Sequence, residues 1–178
     1  MRKPPAEIVA SLLAVTTLFA PFNLPPWAIF ISWAGTFAAG GPKPETLKKI
    51  WVTMPIGAFV ACLIVAGFNL ASQHFSGSAF VLAQCVILFC LNAGMMSLGR
   101  IPALGFVPGM FFGFASFFAT FFGGFGPTPN NLLSALGATI LMNAIGPVYA
   151  WLTANLGAHH HHQAEHDAPI GCAQQATS

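Results

Sequence analysis

The chain has 178 residues, 56% of them apolar and 6% charged, with six Lys and Arg against four Asp and Glu. Soluble domains carry roughly a quarter charged residues, so this composition excludes a water-exposed globular surface. It also leaves no basic patch for nucleic acid, and the segments 50–99 and 101–164 hold no Asp, Glu, Lys or Arg.

The first predicted span covers residues 5–20, with Pro4 and Pro5 at its start and Glu7 in its first turn. Arg2 and Lys3 before an apolar run superficially suit a secretory leader. No small-x-small cleavage site leads into a polar chain, however, and an uncleaved first span is expected. Pro21, Pro25 and Pro26 stop that helix. The second span, 27–39, reaches only about 20 Å. Either it begins nearer Phe22, or residues 5–39 form a broken or re-entrant hairpin. Gly40-Gly41-Pro42-Lys43-Pro44 is a turn. A third span follows over 50–70, with Pro55 inside it, and a fourth over 79–98, closed by Gly99-Arg100.

The fifth span, 102–122, lies in an uncharged Phe-rich stretch that only a large core or a membrane can accommodate. Gly105, Gly109 and Gly113 recur at four-residue spacing, a small-residue ridge expected to pack against another helix. The sixth span covers 131–155, with Gly146-Pro147 as a bend. The fold class expected is an all-α polytopic membrane bundle of about six spans. With both termini inside, all six Lys and Arg fall on the cytoplasmic side. Residues 1–157 then form the transmembrane domain, and 158–178 a disordered, His-containing cytoplasmic tail.

Apart from Glu7 in the first turn of the first span, no Asp, Glu, Lys, Arg or His falls within a span, which argues against a proton-driven pump or charge-gated channel. No nucleophile–base pair or carboxylate pair suggests an enzyme, so no catalytic residue and no cofactor is expected. Cys62, Cys85 and Cys90 sit in apolar runs as small hydrophobes, and Cys172 is alone in the tail. His159 to His162, with Glu165, His166 and Asp167, have no fixed geometry, and no metal site is expected. What remains is amides and hydroxyls. Gln84 and Asn92 share a face of the fourth span, Thr139 and Asn143 are i,i+4 in the sixth, and Ser116 and Thr120 are i,i+4 in the fifth. One reading has these groups bonding across helices to fix register. The other has Gln84, Asn92, Thr139 and Asn143 lining a narrow path for a small neutral solute.

The block Phe106-Val107-Pro108-Gly109, continued by Gly113, Ala115, Ser116 and Phe117, together with Leu24, Trp27, Ala28 and Phe30, resembles a family of small bacterial inner-membrane proteins catalogued as domain of unknown function 1097. The resemblance covers about residues 8–155. It implies an integral membrane protein and brings no catalytic residues. A further pattern pairs Pro26, Phe30 and Gly41 with Pro108, Phe112 and Gly123 at shared spacing, so that two halves of three spans would be inverted relative to one another. The function expected is a passive channel or small transporter for a neutral or weakly charged solute, or else an accessory membrane protein without transport. The lipid bilayer is the expected partner; a second copy, another membrane protein and a small neutral solute are the other candidates.

Overall fold

The computed structural model describes residues 3–157; the tail expected to be disordered, 158–178, lies outside them. Six helices follow in chain order: α1 (Ala6–Thr16), α2 (Pro26–Ala38), α3 (Pro44–Ser72), α4 (Gly77–Leu98), α5 (Val107–Phe122) and α6 (Leu132–Leu156). The described residues contain no β-sheet. Pro26, Pro44 and Pro108 stand in the first turns of α2, α3 and α5, where a missing N–H is harmless. Asn131 caps α6, its side-chain oxygen accepting from the Ser134 amide at 2.9 Å.

Helix α1 ends at Thr16, four residues short of the expected span, in a 3-10 turn over Thr17–Phe19, and two starts also differ from expectation. Helix α3 begins at Pro44 and takes in the charged turn before Ile50. Helix α5 begins at Val107, because Pro108 has no N–H for the Leu104 carbonyl and its ring blocks helix upstream. Residues Pro102–Leu104 form a separate 3-10 turn instead.

Helices α3, α4 and α6 are long and apolar enough to cross a bilayer, while α1 with its following turn and α5 are shorter apolar helices. The chain is a multi-pass membrane protein that meets lipid through these helices. Only Met95 of α4 is buried, and Val81, Leu82, Val86 and Phe89 stand exposed along it as a lipid-facing surface.

The short first two helices are explained by what joins them. Lys3 Nζ donates to the Asn155 carbonyl at 2.9 Å, and Thr16 Oγ1 lies 2.7 Å from the Tyr149 hydroxyl. Beyond α1, the Asn23 carbonyl accepts from the Gly126 amide at 2.8 Å, just before α6 begins. Residues 3–23 therefore run antiparallel to α6 along its whole length. Past Tyr149 that distance is covered by a 3-10 turn and a Pro-rich extended linker rather than by helix, and Phe22 and Asn23 reverse the chain with φ of 60° and 55°. Helix α2 returns parallel to α6, with Trp33 edge-on to Tyr149 at 5.5 Å. Trp33 is buried in this contact and packs the bundle.

Two close crossings hold the bundle. At the first, α5 lies parallel to α3. A Cβ on Gly57 would strike the Met110 carbonyl oxygen, and one on Gly113 the Met54 carbonyl oxygen; a Cβ on Gly109 would meet Thr53 Oγ1. At the second, α2 lies against α6, and a Cβ on Gly146 would meet Ser32 Oγ, with the Ile29 carbonyl oxygen and the Trp33 amide each 2.6 Å away. Backbones approach this closely only where one residue has no side chain. Gly105 is placed differently. It is exposed in the turn before α5, and the nearest atoms to a Cβ there are local, with the Pro102 carbonyl oxygen at 3.5 Å. The core lies between the crossings, where Phe117, Ala58, Ala61, Val65 and Ala135 pack together.

Candidate functional site

Helices α3 and α6 run antiparallel, and where they pass each other they leave a pocket of about 310 Å³. From α3 it is lined by Ile50, Trp51, Met54 and Pro55, and from α6 by Ile140, Asn143 and Ala144. Each helix contributes residues at i, i+3 and i+4, the spacing that puts side chains on one helical face. Trp51 braces the two walls, its indole N–H donating to the Ala144 carbonyl at 3.0 Å.

The pocket's one amide side chain is Asn143, at the middle of α6. It is 3% exposed, and neither its Oδ1 nor its Nδ2 has a hydrogen-bond partner among the described residues. A buried unpaired polar group costs roughly 1–3 kcal/mol, and Asn143 presents two. Prolines add to the unpaired inventory: Pro55 offers no N–H to the Trp51 carbonyl, and Pro147 none to the Asn143 carbonyl. No ionisable side chain lines the pocket. Chemically, this is an apolar slot with an unpaired donor and acceptor side by side just behind its wall, within reach of an uncharged polar group if the Asn143 side chain turns inward, and hostile to an ion.

Of the four residues expected along a solute path, Asn143 lines this pocket. Thr139, fully buried one turn away, donates to the Ala135 carbonyl at 2.7 Å. Gln84 and Asn92 lie half-buried on α4, which packs along α3, and neither lines the pocket. Most intramembrane hydroxyls are likewise spent locally. Ser32, Thr36, Thr53, Thr120 and Thr153 each donate to the carbonyl four residues earlier in their own helix. A short hydroxyl reaches that oxygen without any neighbour, so these groups do not fix register across helices. Ser116 Oγ and Trp27 Nε1 are also buried without partners, but neither residue lines this pocket.

Sequence reading noted Pro55 inside its span but did not assign Trp51, Met54 or Pro55 to a site. A signal was present: Pro55-Ile56-Gly57 and Ala144-Ile145-Gly146 share a small or kinking residue, Ile, then Gly. Two other recesses are less suited. One of about 630 Å³ between α3 and α4 is lined almost wholly by apolar side chains, including Leu70, Leu82 and Val86. Another of about 190 Å³ beside Thr16 and Tyr149 has their hydroxyls already bonded to each other.

The family described as Protein of unknown function (DUF1097) matches residues 7–158 of the chain. No curated protein and no solved structure matches it.

Proposed function

We propose that this chain, which belongs to the DUF1097 family, is a bacterial inner-membrane facilitator that lets a small neutral or weakly charged solute pass down its gradient. All six helices cross the membrane in this reading, with both termini in the cytoplasm, and the protein is not an enzyme. The alternating directions of the helices support it. They gather Lys3, the start of α3 with Lys43, Lys48 and Lys49, and the α4–α5 turn with Arg100 at one end of the bundle. In a Cys-depleted background, Ser76→Cys and Thr128→Cys should react with an impermeant thiol reagent added outside, and Lys48→Cys only after the membrane is opened. External labelling anywhere in 43–49 overturns this topology.

The observation that carries the transport reading is the unpaired Asn143 amide in a pocket at the middle of a spanning helix. A group so costly to bury is a functional signal in a membrane protein. Proteoliposomes loaded with small amides, alcohols and weak acids test it: the protein should accelerate release of at least one over empty vesicles. Because no titratable group lines the pocket, the rate for a neutral solute should change less than about twofold between pH 5 and 8. Steep inhibition in that range would point to an ionisable group elsewhere.

A second reading, an accessory membrane protein, is favoured by the placement of Gln84 and Asn92 away from Asn143, which leaves no continuous line of amides. Vesicles no leakier than empty ones to every solute would establish it. Asn92→Leu separates the two amide positions, since it should leave flux unchanged if Asn143 alone handles the solute.

A further inference from the structure

The two close crossings are equivalent to one another. Gly57 of α3 rests on the carbonyl of Met110 in α5, and Gly146 of α6 rests on that of Ile29 in α2. Exchanging the first three helices for the last three turns one crossing into the other. The same exchange maps α4, which lies antiparallel along α3 with Gly67 on Ile87, onto α1, antiparallel along α6 from Asn155 to Tyr149. It maps α3 and α6 onto each other, and these run in opposite directions, so the relation is an inversion about an axis in the membrane plane. The contact register is shifted by one residue from the proline-based one, because Pro26 is the first residue of α2 and Pro108 the second of α5.

The pocket sits on that axis. Trp51 and Ile140, Met54 and Asn143, Pro55 and Ala144, and Gly57 and Gly146 are all the same number of residues apart. The first three pairs all line the cavity, and the Trp51 indole bonded to Ala144 sets one member of the first pair against one of the third, as an axis between antiparallel helices requires. A transporter built from inverted halves places its substrate at such a point, because both halves must grip the same molecule as they move.

We infer that the two three-helix halves are inverted repeats, and that the pocket on their axis binds a small neutral carboxamide through Asn143. The inference deepens the transport reading and rests on it for the ligand's passage. An asparagine side chain offers two N–H donors beside a carbonyl acceptor. With the Asn143 side chain turned into the cavity, a carboxamide is its in-plane complement, giving one N–H···O bond in each direction, so both atoms left unpaired in the closed wall are satisfied at once. An alcohol satisfies them one at a time. A carboxylate would meet the Asn143 carbonyl with like charge and find no cation lining the pocket. Ile50, Met54 and Ile140 leave room for a short apolar substituent.

The test uses the full chain in lipid nanodiscs, with asparagine labelled by nitrogen-15 and the Asn143 amide signals identified by their loss in Asn143→Leu. Isobutyramide should shift those signals saturably, with a Kd at least tenfold below that of N,N-dimethylisobutyramide, which lacks the donors, and of isobutyrate, which is charged. Equal binding of the three, tighter binding of isobutyrate, or no shift at Asn143 overturns the site. The axis is tested by exchanging the equivalent residues. Met54→Asn combined with Asn143→Met moves the amide to the other half and should bind isobutyramide within about tenfold of wild type, whereas Asn143→Met alone should not bind. A folded exchange variant that does not bind, or one that does not fold, overturns the repeat and leaves the wild-type titration to decide the site. Saturable binding without flux in liposomes keeps the site and removes the transport reading. Amide flux unaltered by Asn143→Leu does the reverse.

Discussion

Gly113→Ala and Gly57→Ala are each expected to destabilise the protein by about 1–3 kcal/mol, read as a lower midpoint in thermal or denaturant unfolding in detergent. The added methyl meets the Met54 carbonyl in one case and the Met110 carbonyl in the other. A side chain in the way can change rotamer, but a helix backbone can yield only by moving the whole helix, and that opens the rest of the α3·α5 interface, where Met110 and Phe117 are fully buried. The two changes act on one crossing, so together they should cost less than their sum. The internal control has the opposite sign. Gly94 and Gly137 are helical glycines with nothing within 4 Å of an added Cβ, so Ala there should stabilise by about 0.5–1 kcal/mol through helix propensity alone. Gly113→Ala melting with the wild type, or Gly137→Ala melting below it, would show that the crossing is not this close.

Asn143→Leu is expected to raise stability and abolish flux together. Leucine is close to asparagine in size, and the substitution removes two buried polar atoms that find no partner in the chain. Replacing an unsatisfied buried group by an apolar one should gain on the order of 1–2 kcal/mol. Thr139, which already bonds to Ala135, provides the contrast: Thr139→Val removes a satisfied hydroxyl and should change stability by less than about 1 kcal/mol with flux intact. The opposed signs are what separate a functional amide from a structural one. Were Asn143 holding helices together, its loss would lower the unfolding midpoint; a destabilised Asn143→Leu protein with normal flux would end the functional reading of the pocket.

The helices were legible because apolar length and proline placement are local properties. The turns at Gly40-Gly41 and Gly123–Asn130, the start of α2 and the end of α4 all lie within a residue or two of where Gly and Pro put them. The site was legible only as a list of amides. Gln84, Asn92 and Asn143 look alike in sequence, each an isolated amide in an apolar run, and periodicity fixes which face of its own helix each occupies without saying what that face meets. Trp51 and Met54 look like ordinary apolar positions, and nothing local marks them as a wall.

The sequence by itself determined that this chain lives in a bilayer, that it is helical, and where Gly and Pro interrupt its helices. Those outcomes follow from backbone hydrogen bonds that must close within each helix when water is absent, and from the cost of placing charge in hydrocarbon. Tertiary structure alone decided which glycines would carry the crossings: Gly57 and Gly146 join Gly113 against backbone, while Gly105 stands apart in a turn. It also decided that α1 and its extended linker run the length of α6, and that one amide is left unpaired in a pocket while its neighbouring hydroxyls are satisfied. The reason is that lipid tails are as apolar as the side chains they touch. Burial therefore cannot tell one helix face from another, and the choice of partners falls to shape, to the close approach that a missing Cβ allows at one position and a bulky neighbour forbids at the next.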